Sequence, residues 1–517
     1  MDVIVIGGGV NGLVAGAYLA RHKKKVLILE RQSSVGGAAI TAEIAPGFRA
    51  PSLSHAIGPI APIVTRMLKL DRSKLHLITP DPVLTTLGRD NKTISFHRDA
   101  VLTAASIDRL SPPDAGRWRE FLTVIQRIGN VIAATRREAP PSLDAVAARD
   151  LWRLLAHGRR ARALGKRDLA RAIRWTPMAV ADLTGEWFQN ELLQAAIAAH
   201  AVFGHFAGPW SAGTGGLLLQ RVADDPMPVG SGVTLRGGPG ALADALAQAA
   251  TNAGATIRTG ARVARILTRD GRVTGVVLDN GDEIAASTVI AAIDPKQALT
   301  SLLDPVALAP TLAERVRHLR MRGVTAKINL ALSGAPSFNA FAGDAVPLRG
   351  RLLIAPDLDY LERAFDAAKY GSASPAPWLE IAVPSVADPS LAPEGQHVMS
   401  ISVHFAPRHL RDGVWVDRKD ALYRSVMDVL APHTRALEAQ VVGAEIITPE
   451  DLETRWGTSG GHIFHGEMTL DQSWIARPAL GLARYRTPIE GLVLASAGAH
   501  PGGGLTGLPG LLGALHA

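Results

Sequence analysis

The first thirty residues, MDVIVIGGGVNGLVAGAYLARHKKKVLILE, restrict the chain to very few folds. Residues 2–6 are a short, mostly β-branched apolar run of the kind buried on both faces in a parallel sheet. Gly7, Gly9 and Gly12 follow with the spacing G-x-G-x-x-G. In that pattern the first glycine makes a tight turn, the second lets a pyrophosphate approach the backbone, and the third lets a helix settle on the sheet. Residues 13–21 predict an alanine-rich helix whose leading N–H groups, next to Val10 and Asn11, face that anion. Residues 26–29 predict a second strand ending in Glu30, eighteen residues after Gly12. A carboxylate there accepts hydrogen bonds from a ribose and disfavours a 2′-phosphate. Strand, glycine turn, helix, strand and terminal acid together predict a dinucleotide-binding βαβ unit.

Glu30 runs directly into RQSSVGGAAIT, placing Arg31 after the acid and Gly36, Gly37 and Ala38 a few residues on. This is similar to the E-R-x-x-x-x-G-G extension of FAD-binding units of the glutathione-reductase-2 type, which nicotinamide-only domains lack. A second glycine turn brings the chain against the pyrophosphate while the flavin end runs deeper, although an ordinary surface turn would use the same pair. FAD is the dinucleotide expected, with Glu30 and Arg31 at its ribose end and Gly36-Gly37 beside its phosphates.

At 517 residues the chain exceeds what one core supports, so two domains are expected, and 47% apolar residues supply a large interior. No run approaches the roughly 18 apolar residues of a membrane span. The first strand begins at the second residue, leaving no room for a signal peptide, so a cytoplasmic location is expected. The absence of cysteine excludes disulfides, thiolate metal sites, a cysteinyl-flavin link and a dithiol relay. FAD is therefore expected to be held non-covalently and to exchange electrons with a substrate, oxygen, a quinone or another carrier; no metal is expected.

The net charge of +8 is concentrated between positions 149 and 174, where eight arginines and Lys166 lie among Leu, Ala and Trp. Such a helix pair either presents a solvated face or lies on an anionic membrane surface, at its periphery. No nucleic-acid module accompanies the charge. An apolar small molecule and a second copy of the chain complete the expected partners.

Along the chain, residues 1–75 read as the first part of an FAD domain and 76–229 as a helical, basic part of a substrate domain. Residues 230–300 return to the FAD domain, 301–480 to the substrate domain, and 481–517 close the FAD domain. Within 230–300, Asp270-Gly271 and Asn280-Gly281 suit two-residue hairpin turns and predict a three-stranded β-meander. Gly238, Gly240 and Ala243 match G-x-G-x-x-A, but their following strand ends without an acid, so no second nucleotide site is expected. Gly502, Gly504 and Gly507 repeat the glycine spacing with only ten residues left, too few for a return strand. That loop reads as a helix start pointed at the flavin, where its positive end stabilises a reduced, anionic ring.

Passages from VIGGGVNGLVAGAYLA, ERQSSVGGA and SLSHAIG through GGPGALADALA and DLETRWGTSGGHIFHGEM to AGAHPGGGLTGLPG span nearly the whole chain. They resemble the phytoene desaturase and carotenoid isomerase branch of the FAD-dependent amine-oxidase-like superfamily. Within it the likeness is to the subgroup termed pyridine nucleotide-disulfide oxidoreductase domain-containing protein 2. The resemblance implies an α/β fold: a glutathione-reductase-2-type, Rossmann-like FAD domain with an inserted α+β substrate domain. It implies adenine near Val263, and His500, Gly503, Gly504, Leu505 and Thr506 flanking the flavin. The chain departs from the family at Lys24 and Lys25, in a surface turn, and at Ser496, which is expected to crowd the backbone near the flavin. Gly16, inside the first helix, is expected to ease its contact with the sheet.

Flavin dehydrogenation asks for a substrate C–H at the ring and, in some reactions, a base. The candidates are His500, before Pro501 and the terminal loop; His55, in SLSHAIG; and His465, in GGHIFHGEM beside His462 and Glu467. His200 and His205 read as cleft or core lining. The expected activity is hydride removal from carbon of a mainly apolar substrate, forming C=C. The rivals are an amine oxidase, a reduced-flavin isomerase and a non-catalytic flavin protein.

Overall fold

The computed structural model describes residues 1–70, 75–142 and 148–517. The opening strand, Val3–Ile6, is fully buried and lies at the centre of a five-stranded parallel sheet. Its neighbours are Val26–Leu29 on one side and Thr288–Ala291 on the other, with Thr256–Arg258 and Leu492–Leu494 at the edges. Runs such as VIVI and VLIL stay buried throughout because helix Val10–Arg21 packs on the sheet and the apolar residues of the β-meander share its core. Helix Val10–Arg21 packs against Gly240–Asn252 and against the last helix, Leu508–Ala514. It begins at Val10, three residues earlier than the sequence predicts, so the second half of the glycine motif is already helical. Gly16 sits over Ile28 so closely that a Cβ there would stand 2.5 Å from the Ile28 Cδ1.

The β-meander comprises Val263–Arg269, Arg272–Leu278 and Glu283–Ala285, paired antiparallel. Asp270 (φ 51°) and Gly271 (φ 75°) make its first turn, as the dipeptide predicts. The strand Thr288–Ala291 that follows rejoins the parallel sheet.

A seven-stranded sheet stands opposite. Its order is Val441–Ile447, Thr325–Leu332, His397–His404, Trp378–Ala382, Arg351–Ile354, Leu84–Leu87, Thr93–Phe96, antiparallel except where Arg351–Ile354 meets Leu84–Leu87. Residues 76–229, read as a helical, basic part with short strands, contribute Leu84–Leu87 and Thr93–Phe96 to this sheet, and their helices hold an aromatic core around Trp118, Phe121, Trp175 and Phe188. On the seven-stranded sheet the period-2 alternation is sharp. Ile328, Leu330, Leu379, Ile381, Ile401 and Val403 point into one apolar core. Lys327, Asn329, Glu380, Ser400 and Ser402 alternate with them and are buried on the opposite face. Among the described residues no helix is long and apolar enough to cross a membrane.

Candidate active site

Between the two sheets runs a cavity of about 360 Å³, partly open to solvent, lined from both ends of the chain. At the parallel sheet it is lined by Gly7, Gly9, Val10, Asn11, Glu30 and Arg31, then by Gly37 and Ala38. Gly503, Gly504, Leu505 and Thr506 line it from the other terminus. The two ends are tied together: the Gly510 amide donates to the Asn11 side-chain oxygen at 3.2 Å. The expected helix start at the flavin therefore has one of its free N–H groups already taken.

The two glycine turns cross. The Gly36 amide donates to the Gly8 carbonyl at 2.9 Å, and a Cβ on Gly37 (φ 62°) would lie 3.1 Å from the Gly9 Cα. Only bare backbone allows that crossing, and bare backbone is what a pyrophosphate needs to approach main-chain N–H groups. Glu30 is held by the Gly8 amide (2.7 Å) and the Gln32 amide (2.8 Å), one on each oxygen. A carboxylate has four lone-pair sites, so both oxygens keep acceptor capacity for a ribose at the cavity wall. Arg31 lines the wall while its Nη2 donates to the Thr454 and Arg455 carbonyls at 2.5 and 2.6 Å, bracing the turn against helix Pro449–Trp456. These residues fit an adenine-linked flavin.

Gly12, Gly36, Val263 and His500 do not line the cavity. Gly12 is packed within the first helix and Gly36 pairs with Gly9. Val263 opens the first meander strand and is buried in the core of the FAD domain. His500 precedes a cis bond to Pro501 and is buried against Arg136 and the backbone at Thr135 and Glu138; burial brings its pKa down to about 3. Ser496 is not among the lining residues, and its hydroxyl accepts from the Gly498 amide at 3.1 Å within the turn.

The far half of the cavity holds a chain of buried polar groups. Lys327 Nζ lies 2.8 Å from His55 Nδ1, His55 Nε2 lies 2.7 Å from Glu380 Oε1, and Glu380 Oε2 accepts from Arg351 Nη1 at 2.7 Å. Strand register builds it: Lys327 and Glu380 both pair across to Ser402, forming one row on the sheet. Arg351 is fixed further by the Val229 and Gly230 carbonyls at 2.6 and 2.7 Å. Burial, then the Lys327 charge, lowers His55 to about 4, so it is neutral at pH 7 with its proton on Nε2 toward Glu380. Burial favours a protonated Glu380, but Arg351 and His55 outweigh it and hold the carboxylate well below its usual range. Burial lowers Lys327 to about 7. Arg221 also faces the cavity, beneath Phe203 and Phe464, and burial lowers it to about 10.

Of the remaining histidines, His465 lines the cavity, and its Nδ1 has no hydrogen-bond partner among the described residues. His462 does not line it; its Nδ1 accepts from the Phe464 amide at 3.2 Å. Glu467 is buried in ion pairs with Arg320 (3.2 Å) and Arg322 (2.8 Å), so the His-His-Glu cluster divides into three separate roles. His200 and His205 line the wall, as expected, with Leu217, Ile463, Phe464 and Met468. Sequence reasoning missed Lys327, Glu380, Arg351 and Arg221. The available signal was a lysine in TAKINLAL and a glutamate in WLEIA, charges inside otherwise apolar strands.

The profile of the flavin containing amine oxidoreductase family matches residues 11–507. A rat protein named pyridine nucleotide-disulfide oxidoreductase domain-containing protein 2 is 34% identical, over 98% of this chain and 92% of its own length. Phytoene dehydrogenase of Streptomyces griseus is 27% identical over 97% of this chain and 92% of its own. Among solved structures, cyclohexylamine oxidase of Brevibacterium oxydans IH-35A superposes with a TM-score of 0.61 at 16% identity, covering 100% of this chain and 98% of that one. At that identity the likeness establishes the fold.

Proposed function

Because the chain belongs to the flavin containing amine oxidoreductase family and is an FAD-dependent oxidoreductase, we propose that it dehydrogenates carbon in a mainly apolar substrate, forming C=C. One observation carries the choice within the family. The substrate half of the cavity combines apolar walls with carboxylates that are already engaged, Glu380 with Arg351 and His55 and Asp224 with Arg136. An ammonium substrate entering there finds these carboxylates already paired, whereas an uncharged carbon chain needs no counter-ion. The name of the Streptomyces relative, a dehydrogenase of phytoene, is in keeping with this reading.

FAD, when bound, supplies the two-electron acceptor for a hydride leaving carbon. The chain's own residues supply the rest. Phe203, Leu217, Ile463, Phe464 and Met468 hold the substrate away from water. The second hydrogen leaves the neighbouring carbon as a proton, and Lys327 Nζ is the group suited to take it, being half deprotonated near neutral pH. His55 and Glu380 act through Lys327: they fix its position and stabilise the ammonium once formed. His55 is thus a positioning residue.

The test is anaerobic bleaching of the yellow holoprotein by a panel of alkenes, acyl compounds and primary amines. Bleaching by alkenes or acyl compounds with appearance of a new double bond is the expected result. Bleaching by amines alone overturns the proposal in favour of C–N oxidation. Conversion that needs prior reduction and consumes no electrons overturns it in favour of isomerisation.

A further inference from the structure

Helix Ala148–Arg162 carries large apolar side chains on its outward face. Two of its polar residues, Asp150 and Arg153, turn toward the protein. Asp150 is buried and accepts from Arg484 Nη1 at 2.8 Å, and Arg153 pairs with Glu138 at 3.1 Å. Its apolar residues face outward: Leu151 is 53% exposed, Trp152 73% and Leu155 59%. Positions 151, 152 and 155 stand three and four residues apart, so the three side chains form one continuous patch. Arg159 and Arg162 extend the same face one and two turns further, and both are exposed. In the next helix, Gly165–Trp175, Lys166 and Arg167 are exposed near its start and Ile173 is 68% exposed.

Exposed Leu and Trp cost free energy in water, and the sequence between 148 and 167 holds seven basic residues against one acid, the buried Asp150. We propose that this face docks the protein peripherally on an anionic lipid surface. Leu151, Trp152 and Leu155 would enter the headgroup boundary, with the arginines paired to phosphates. A second copy of the chain meeting the same face would bring seven further like charges, which opposes self-association there. The inference stands apart from the choice of substrate.

The experiment is sedimentation of the full-length, FAD-loaded protein with phosphatidylcholine vesicles, with and without phosphatidylglycerol, across a salt series. The expected result is binding only to the anionic vesicles, weakening as salt rises. The exposed double variant Trp152→Glu/Leu155→Glu should bind at least about tenfold more weakly while keeping its flavin content and thermal midpoint. Arg159→Gln/Arg162→Gln should bind more weakly and with a shallower salt dependence. Full-length protein that stays in the supernatant overturns the proposal, as does a double variant that sediments like the parent. So does a dimer on size exclusion that the double variant dissociates, which would assign the face to a second copy.

Discussion

Lys327 gives up its proton readily because burial disfavours the ammonium more than Glu380 and Glu445 stabilise it. Below about pH 7 the lysine is charged folded and unfolded alike, and the folded state bears the full penalty of burying it. Between about 7 and the ordinary value of 10.5 the unfolded chain still binds a proton that the folded chain has lost, so this group makes stability rise with pH. Lys327→Met should remove that slope, so the variant's thermal midpoint relative to the parent should be higher at pH 6.5 than at pH 9.5. The His55 acceptor left behind costs about 1–3 kcal/mol, but it costs the same across the window because His55 does not titrate there. The same variant should lose about 10²–10⁴-fold in turnover with its flavin still bound, which single-turnover bleaching would measure. At this scale the sequence was legible where chemistry is written in glycines and one acid: Gly7, Gly9, Glu30 and Gly37 are all at the cavity. Histidine identity was a partial guide: His55 and His465 line the cavity, whereas His500 and His462 are buried away from its lining.

Elements were legible wherever periodicity was clean, as in the opening strand, the meander and the Ala-rich helices. The active row of the seven-stranded sheet was not, since it exists only across strands: Lys327 and Glu380 are 53 positions apart in sequence and meet through the register with Ser402. No local pattern encodes a register between distant strands. Helix Val10–Arg21 offers a test of packing at this scale. By propensity alone, Gly16→Ala in a helix interior should stabilise by about 1 kcal/mol. The new Cβ would instead stand 2.5 Å from Ile28 Cδ1, so the variant should be destabilised by about 1–3 kcal/mol. Adding Ile28→Val should recover part of the loss, read as thermal midpoints of the single and double variants. A gain in stability for Gly16→Ala alone would show that the helix has room to lift from the sheet.

At the scale of the molecule the cavity is made by distant stretches of chain, with Gly9 to Asn11 on one side and Gly503 to Thr506 on the other. Removing residues 508–517 would strip the helix that packs on Val10–Arg21 and takes up the Asn11 side chain. Such a truncation should express with little or no flavin, measured as the ratio of visible to ultraviolet absorbance. Retention of a full complement would mean that the terminal helix is dispensable to the site. The parallel sheet has a related property. Val3–Ile6 pairs with Thr288–Ala291, which in turn pairs with Leu492–Leu494, so the first strand made waits for partners translated far later. On the ribosome, then, the nascent amino terminus is committed to a βαβ unit whose floor is missing for most of synthesis. Cofactor capture becomes an event that waits for residues 492–506 to emerge, and a shortage of flavin in the cell would be felt as a pool of unlatched protein rather than as stalled or shortened products.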